Sequence, residues 1–292
     1  MTWRVFAGAG LLAAVHSTVG CAQGPAATHG SASTRLVAAA REGTRRYQLQ
    51  DAAIADGFRR VGVDFPAMGE HWVNLQRVMA DSFAPGHPAV LIYVRVNGIP
   101  SLAGVAYTAL LERGESPPSF APARGSWHEH NGTIAEESFP IGHHATERPE
   151  RGDDAPLRLS ILHAWVWVQN PAGLFATDNW SLPYVRLGVP PPTGAPAAAT
   201  RALALAVDGE DYYALMLRTS MVLTAREDSI ATAVLSRSRV RTARELDVAR
   251  RDRHIKPAVL ERLSAHWSAL WDELERALPH RTAALRALRR HL

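Results

Sequence analysis

Histidine is the residue type through which this sequence can do chemistry. Seven of its 13 histidines fall between positions 71 and 163: His71, His87, His128, His130, His143, His144 and His163. Neutral imidazole is the commonest transition-metal ligand, and three or four converging nitrogens or carboxylates make a site. The sharpest piece is Trp127-His128-Glu129-His130. On a strand, positions i and i+2 share a face, so both rings can reach one ion; on a helix they point about 200° apart and cannot. The expected site brings His71, His163 and one or both of His128 and His130 within metal-binding distance, with Glu70 or Glu129 as the nearest carboxylate. Either carboxylate would then be a candidate base to a metal-bound water. The outer ring nitrogen of each ligand needs an acceptor, for which Asn74, Asn170 and Asp178 are the candidates. The ion would be zinc, copper or iron, and no other cofactor is implied. The bland alternatives stay open. The two histidines around Glu129 can be exposed loop residues, and His71 and His163 can bond each other or the backbone as a structural pair.

These residues need elements to hold them. Leu157–Val168 reads as the best strand, its odd positions placing His163 on one face with Trp165 and Trp167. A rigid strand ligand, packed among those tryptophans, would then be met by His71 and the others riding on loops. The segment Met68-Gly69-Glu70-His71-Trp72 reads as such a loop, with a short helix after it. Ala89–Val96, Asn97-Gly98 and the apolar run through Leu102, Val105 and Tyr107 read as a β-hairpin. From Thr34 the apolar positions recur at helical spacing up to Gly57. The Pro/Ala-rich stretch 189–200 reads as a linker. Beyond it the sequence is helical, roughly over Asp211–Thr224, Glu227–Asp252, Pro257–Leu278 and Thr282–Leu292, with Pro257 and Pro279 at helix starts. The fold class is therefore α+β: an antiparallel sheet domain with N-terminal helices (34–188), then an α-helical C-terminal region (201–292).

The N-terminus reads as an export signal over 1–20, with Arg4 before a short apolar run and small residues after it. Thr18-Val19-Gly20-Cys21 resembles a lipobox, which makes Cys21 the lipidation site and 22–33 a tether. The resemblance departs at Thr18, where Leu is usual, and an ordinary secretory leader is the alternative. Cys21 is the single cysteine, so its acylation would exclude thiolate catalysis and Cys-rich zinc sites. The expected place is the periplasmic side of a bacterial envelope, membrane-anchored through lipid. No internal apolar run reaches the ~18 residues of a membrane span.

The composition is that of an ordinary globular chain, 47% hydrophobic and 21% charged over 292 residues. Of 32 basic residues only Lys256 is lysine. From position 201 onward 17 basic and 12 acidic residues alternate, as on solvated helix faces. That pattern lacks the clustered Arg with interleaved aromatics of a nucleic-acid surface, so no nucleic-acid partner is expected. The helical region is instead the expected surface for a protein partner. Nucleophile elbow, Walker loop, dinucleotide fingerprint and HExxH are all missing.

One resemblance follows from the order of motifs. Met68-Gly69-Glu70-His71-Trp72-Val73-Asn74, then Leu162-His163-Ala164-Trp165, then Asn170-Pro171-Ala172-Gly173-Leu174-Phe175 resemble a family of secreted bacterial proteins. Its pattern is MGxH, an aromatic and Val-Asn, followed later by LHxW and NPxGxF. Roughly residues 45–185 are covered, with Trp72 where Tyr is usual and a different ending around Asp178-Asn179-Trp180. The resemblance implies that His71 and His163 belong to the family pattern, with His128 or His130 as a third. It names no reaction. Three function classes therefore compete: an envelope lipoprotein binding a transition metal or small ligand, a metal-free structural or protein-interaction module, and a metal-dependent enzyme.

Overall fold

Asn97 and Gly98 both adopt positive φ, 51° and 82°, the backbone of a two-residue turn whose twist matches antiparallel strands. They join β3 (Val90–Val96) to β4 (Ile99–Glu112) and start the sheet. The computed structural model describes residues 26–112, 114–120, 126–130, 157–191 and 198–291. Within these, six strands form one antiparallel sheet in the order β1-β2-β3-β4-β6-β5. The other four are β1 (Arg59–Phe65), β2 (Gly69–Val73), β5 (His128–His130) and β6 (Leu157–Ala164).

The expected loop around His71 is thus a strand. Phe65 and Gly69 are paired neighbours across a tight reversal. Gly69 has φ +82°, and a Cβ there would lie 2.5 Å from the Tyr93 carbonyl oxygen. Only glycine fits that backbone against β3. A five-residue strand is too short for alternation alone to reveal.

Each face of the sheet has its own cover. Trp72, Leu91, Tyr93, Val105, Tyr107 and Leu162 pack with Leu36 and Ala40 of α1 (Ala26–Thr44) and Ala53 of α2 (Gln50–Ala55). The opposite face gathers Val90, Ile92, Ala106, Ile161 and Trp165 with Leu182 of α4 (Leu182–Arg186). Between these helices in sequence lies α3 (Leu75–Met79). Helix α1 begins at Ala26, so part of the expected tether is helical, as its Ala-rich composition permits. The export signal, Cys21 and the start of that tether lie outside the described residues.

Strand β6 stops at Ala164, four residues before the expected end. The chain there leaves the ladder: Trp165 N–H donates to the Leu174 carbonyl, and Trp167 and Val168 both donate to Ala103. Trp165 consequently stays with the His163 face, while Trp167 packs on the α1 side and its Nε1 donates to Thr44. The expectation that both tryptophans flank His163 is corrected for Trp167.

The C-terminal region is helical: α5 (Ala198–Met221), α6 (Ala225–Asp252), α7 (Pro257–Ala277) and α8 (Thr282–His291). Helix α5 starts well before Asp211, because Ala198-Ala199-Thr200-Arg201-Ala202-Leu203 is, Thr200 apart, made of strong helix formers; the expected linker is shortened accordingly. Thr224 and Glu227 form a capping box at the start of α6. Phe65 and Met68 of the sheet share a buried cluster with Met216, Val234, Trp271 and Leu285 of the helices. The two regions therefore share a core.

Candidate functional site: a histidine cluster on the inner sheet face

His163 lies on β6 opposite Ala106 of β4. His128 on β5 pairs with Ile161, two residues from His163 and therefore on the same face. Their rings meet edge to face, centroids 5.0 Å apart at 79°. His71 sits on β2 opposite Ile92, three strand steps from β6 in the sheet order. In a flat sheet those steps span roughly 14 Å. The His71 and His163 rings nevertheless approach to 5.5 Å between centroids. The two rings therefore meet over β3 and β4. The residues beneath them are small: Gly104 opposite Ile92, and Ala106 opposite His163. A Cβ at Gly104 would come 3.0 Å from the Ala164 oxygen and 3.1 Å from the Trp165 ring, so glycine leaves the space that Trp165 occupies beside His163.

His163 is 1% exposed. Its Nδ1 lies 2.7 Å from the Thr177 carbonyl oxygen. A carbonyl only accepts, so Nδ1 is the protonated nitrogen and Nε2 carries the lone pair of the neutral ring. Trp165 stands 5.9 Å from the His163 ring and is pinned by its own Nε1 bond to Ala176. His71 meets Phe65 edge to face at 5.6 Å. Both of its ring nitrogens are shut off from solvent, and neither makes a well-formed hydrogen bond, the Gly69 carbonyl being a polar neighbour. Burial pushes its pKa down to about 4; the nearby Gly69 carbonyl opposes this and the His128 ring adds to it. His71 is therefore neutral at pH 7, the state in which imidazole binds metal.

Among the described residues, no group of three or more His, Cys, Asp or Glu side chains is placed to hold a metal ion. The rings stand edge to face or tilted rather than pointing at a common centre. Coordination at about 2.0–2.1 Å would require them to turn about their side-chain torsions.

The expected partners fare unevenly. His71, His128 and His163 come together, all three from strands, which corrects the expectation that His71 and His128 ride on loops. Glu70 does not join them. Alternation along β2 sends it to the face opposite His71, where it is 1% exposed. There its carboxylate accepts from Arg95 Nε at 2.7 Å and Trp72 Nε1 at 3.2 Å, with Arg60 at 3.4 Å. Glu129 and His130 are placed by register opposite Ser160 and Leu159, and their side chains lie outside the described residues. Asn74 is the N-cap of α3: its side chain accepts from Arg77 N–H and donates to the Asp56 carbonyl. Asn170 shapes its own turn, donating to the Asp178 carbonyl and accepting from Ala172 N–H. The Asp178 charge, after burial, helps push the Tyr212 phenol of α5 upward in pKa. None of these three is the acceptor of His163.

The acceptor that sequence reasoning missed, the Thr177 carbonyl, is backbone and has no residue-type signature. Its sign was the Asn170–Gly173 turn, which carries the following residues back over β6. Phe65, the ring against His71, was hidden by the unrecognised β1–β2 reversal. Compared with family models, curated proteins and solved structures, the chain matches none.

Proposed function

We propose that the protein is an exported lipoprotein of the bacterial envelope, anchored through Cys21, whose cluster of His71, His128 and His163 binds a transition metal ion. One observation carries the reading: three imidazoles meet on one buried sheet face, and the His71 ring nitrogens are shut off from solvent with the Gly69 carbonyl as their polar neighbour. The ring nitrogen that the carbonyl does not serve is left unsatisfied at about 1–3 kcal/mol, a cost that a bound ion offsets. An all-imidazole donor set suits zinc, copper or iron, and the Thr177 carbonyl fixes the tautomer in which His163 Nε2 is the donor. Elemental analysis of untagged protein incubated with zinc or copper and then dialysed tests this. About one ion per chain is expected, lost in both His71→Ala and His163→Ala. Metal-free wild-type protein after both incubations overturns it.

A second reading is favoured by the same edge-to-face ring packing: the imidazoles act as a structural plug in a metal-free module that binds protein partners through its helices. Under that reading His163→Ala lowers thermal stability alone, and added zinc leaves the melting temperature unchanged. The enzyme reading loses the support it drew from Glu70, which is committed to Arg95 and Arg60.

A further inference from the structure

The surroundings of the three imidazoles decide what charge of ion suits them. An ion bound to an imidazole nitrogen at about 2.0–2.1 Å lies about 3.2 Å from the ring centre. Two rings sharing it then stand about 5.5 Å apart at a trigonal angle and about 5.2 Å apart at a tetrahedral one. The His71 and His163 centres are 5.5 Å apart, and those of His128 and His163 are 5.0 Å apart. The spacing of a shared ion is present, and the rings have only to turn.

Neutral imidazoles bring no charge to such an ion. Glu70 is held on the other face by Arg95 and Arg60, and among the described residues no carboxylate completes a metal-holding group with the histidines. Both ring nitrogens of His71 and of His128, and Nε2 of His163, are closed to solvent. Phe65 stands 5.6 Å from the His71 ring and Trp165 5.9 Å from that of His163, so the surround is largely aromatic. The cost of bringing an ion into such a medium rises with the square of its charge, so a monovalent ion costs about a quarter as much as a divalent one of equal size. Zinc held by three protein ligands also takes a water as its fourth, and these nitrogens are closed to water. Cuprous ion is monovalent and satisfied by two or three imidazoles, and it requires neither a counter-charge nor a fourth donor. We infer that the cluster of His71, His128 and His163 selects copper in its +1 state over zinc and cupric ions. This rests on the metal reading of the cluster and adds to it the charge of the ion.

Untagged full-length protein is titrated without oxygen with cuprous ion against bathocuproine disulfonate, and separately with zinc and cupric ions against colorimetric chelators. Cuprous ion is expected to bind one to one, at least about 100-fold more tightly than either divalent ion. His71→Ala and His163→Ala should each weaken it at least about tenfold. His128→Asp, on the three-residue edge strand β5, adds a carboxylate to the donor set. It should lower the preference for cuprous ion over zinc at least about tenfold, and it keeps the test should an alanine variant fail to fold. Zinc or cupric binding as tight as cuprous overturns the inference and leaves the metal reading standing. Cuprous affinity unchanged in all three variants, or no binding of any of the three ions, overturns both.

Discussion

Replacing Glu70 by Gln separates a carboxylate that supports the sheet from one that serves the histidines. The side chain is 1% exposed and accepts from Arg95 at 2.7 Å and Trp72 at 3.2 Å, with Arg60 at 3.4 Å. Glutamine keeps the volume and one acceptor oxygen, so no cavity opens and one of those bonds survives. What is lost is the charge facing two guanidiniums. Arg95 and Arg60 are 39% and 36% exposed, so water recovers part of each interaction. About 0.5–1 kcal/mol per pair is then reasonable. The new amide N–H₂ also faces a donor, adding up to about 1 kcal/mol. The total is about 1–3 kcal/mol, or a fall in melting temperature of roughly 2–5 °C for a chain of this size. Thermal denaturation followed by circular dichroism, beside metal analysis of the same samples, reads both effects. Stability should fall while metal uptake stays at the wild-type level. An unchanged melting temperature with lost metal would refute the placement of Glu70 on the face opposite His71.

Three further outcomes follow from the same contacts. His71 has its pKa lowered from 6.5 to about 4, so between those values the unfolded chain binds the extra proton and stability drops as the pH is lowered. Metal-free protein should lose up to about 3 kcal/mol over that window, and urea unfolding of His71→Phe should show a flatter profile. Glu227 is held well below the usual carboxylate range, first by Arg281 and then by Thr224 and His280. Its contribution is present above the ordinary glutamate pKa and fades as pH falls below it. Glu227→Gln should therefore lower the melting temperature at pH 7 and reduce its further fall on acidification. Gly43→Ala sets propensity against packing. Helix propensity favours Ala by about 1 kcal/mol, but a Cβ at Gly43 would lie 1.9 Å from the Gly86 oxygen. Overpacking should win, with net destabilisation of at least about 1 kcal/mol, and a stabilised variant would show that α1 does not lie against that loop.

The elements legible in the sequence are those with long periods or unambiguous turns. The Asn97-Gly98 hairpin and the helices starting at Pro257 and Thr282 stand where their residues put them. The convergence of His71 and His163 could not be computed from alternation. It depends on two side chains meeting over the intervening strands, which the small residues Gly104 and Ala106 permit but do not announce. Face assignment was lost at β2, where a loop reading left Glu70 and His71 on no particular side. One strand alternation separates them. Trp167 departs from strand alternation for a related reason: the strand ends at Ala164 because the backbone beyond it bonds to Ala103 and Leu174, a tertiary event with no local signal. Asn74, Asn170 and Asp178 were chosen as acceptors by residue type, while the acceptor used is a main-chain oxygen.

Phe65 belongs at once to the wall of His71 and to the helical cluster with Met216 and Trp271. A boundary drawn by linker composition near position 190 is therefore no boundary for unfolding. Cutting the chain there would strip the packing from Phe65 and Met68 and leave the His71 ring without its backing. The helices and the imidazoles should melt as one cooperative unit rather than two. A substitution at Met216, in α5, then becomes a remote handle on the histidine environment. Its effect would be visible as a change in the imidazole proton resonances before any strand is disturbed.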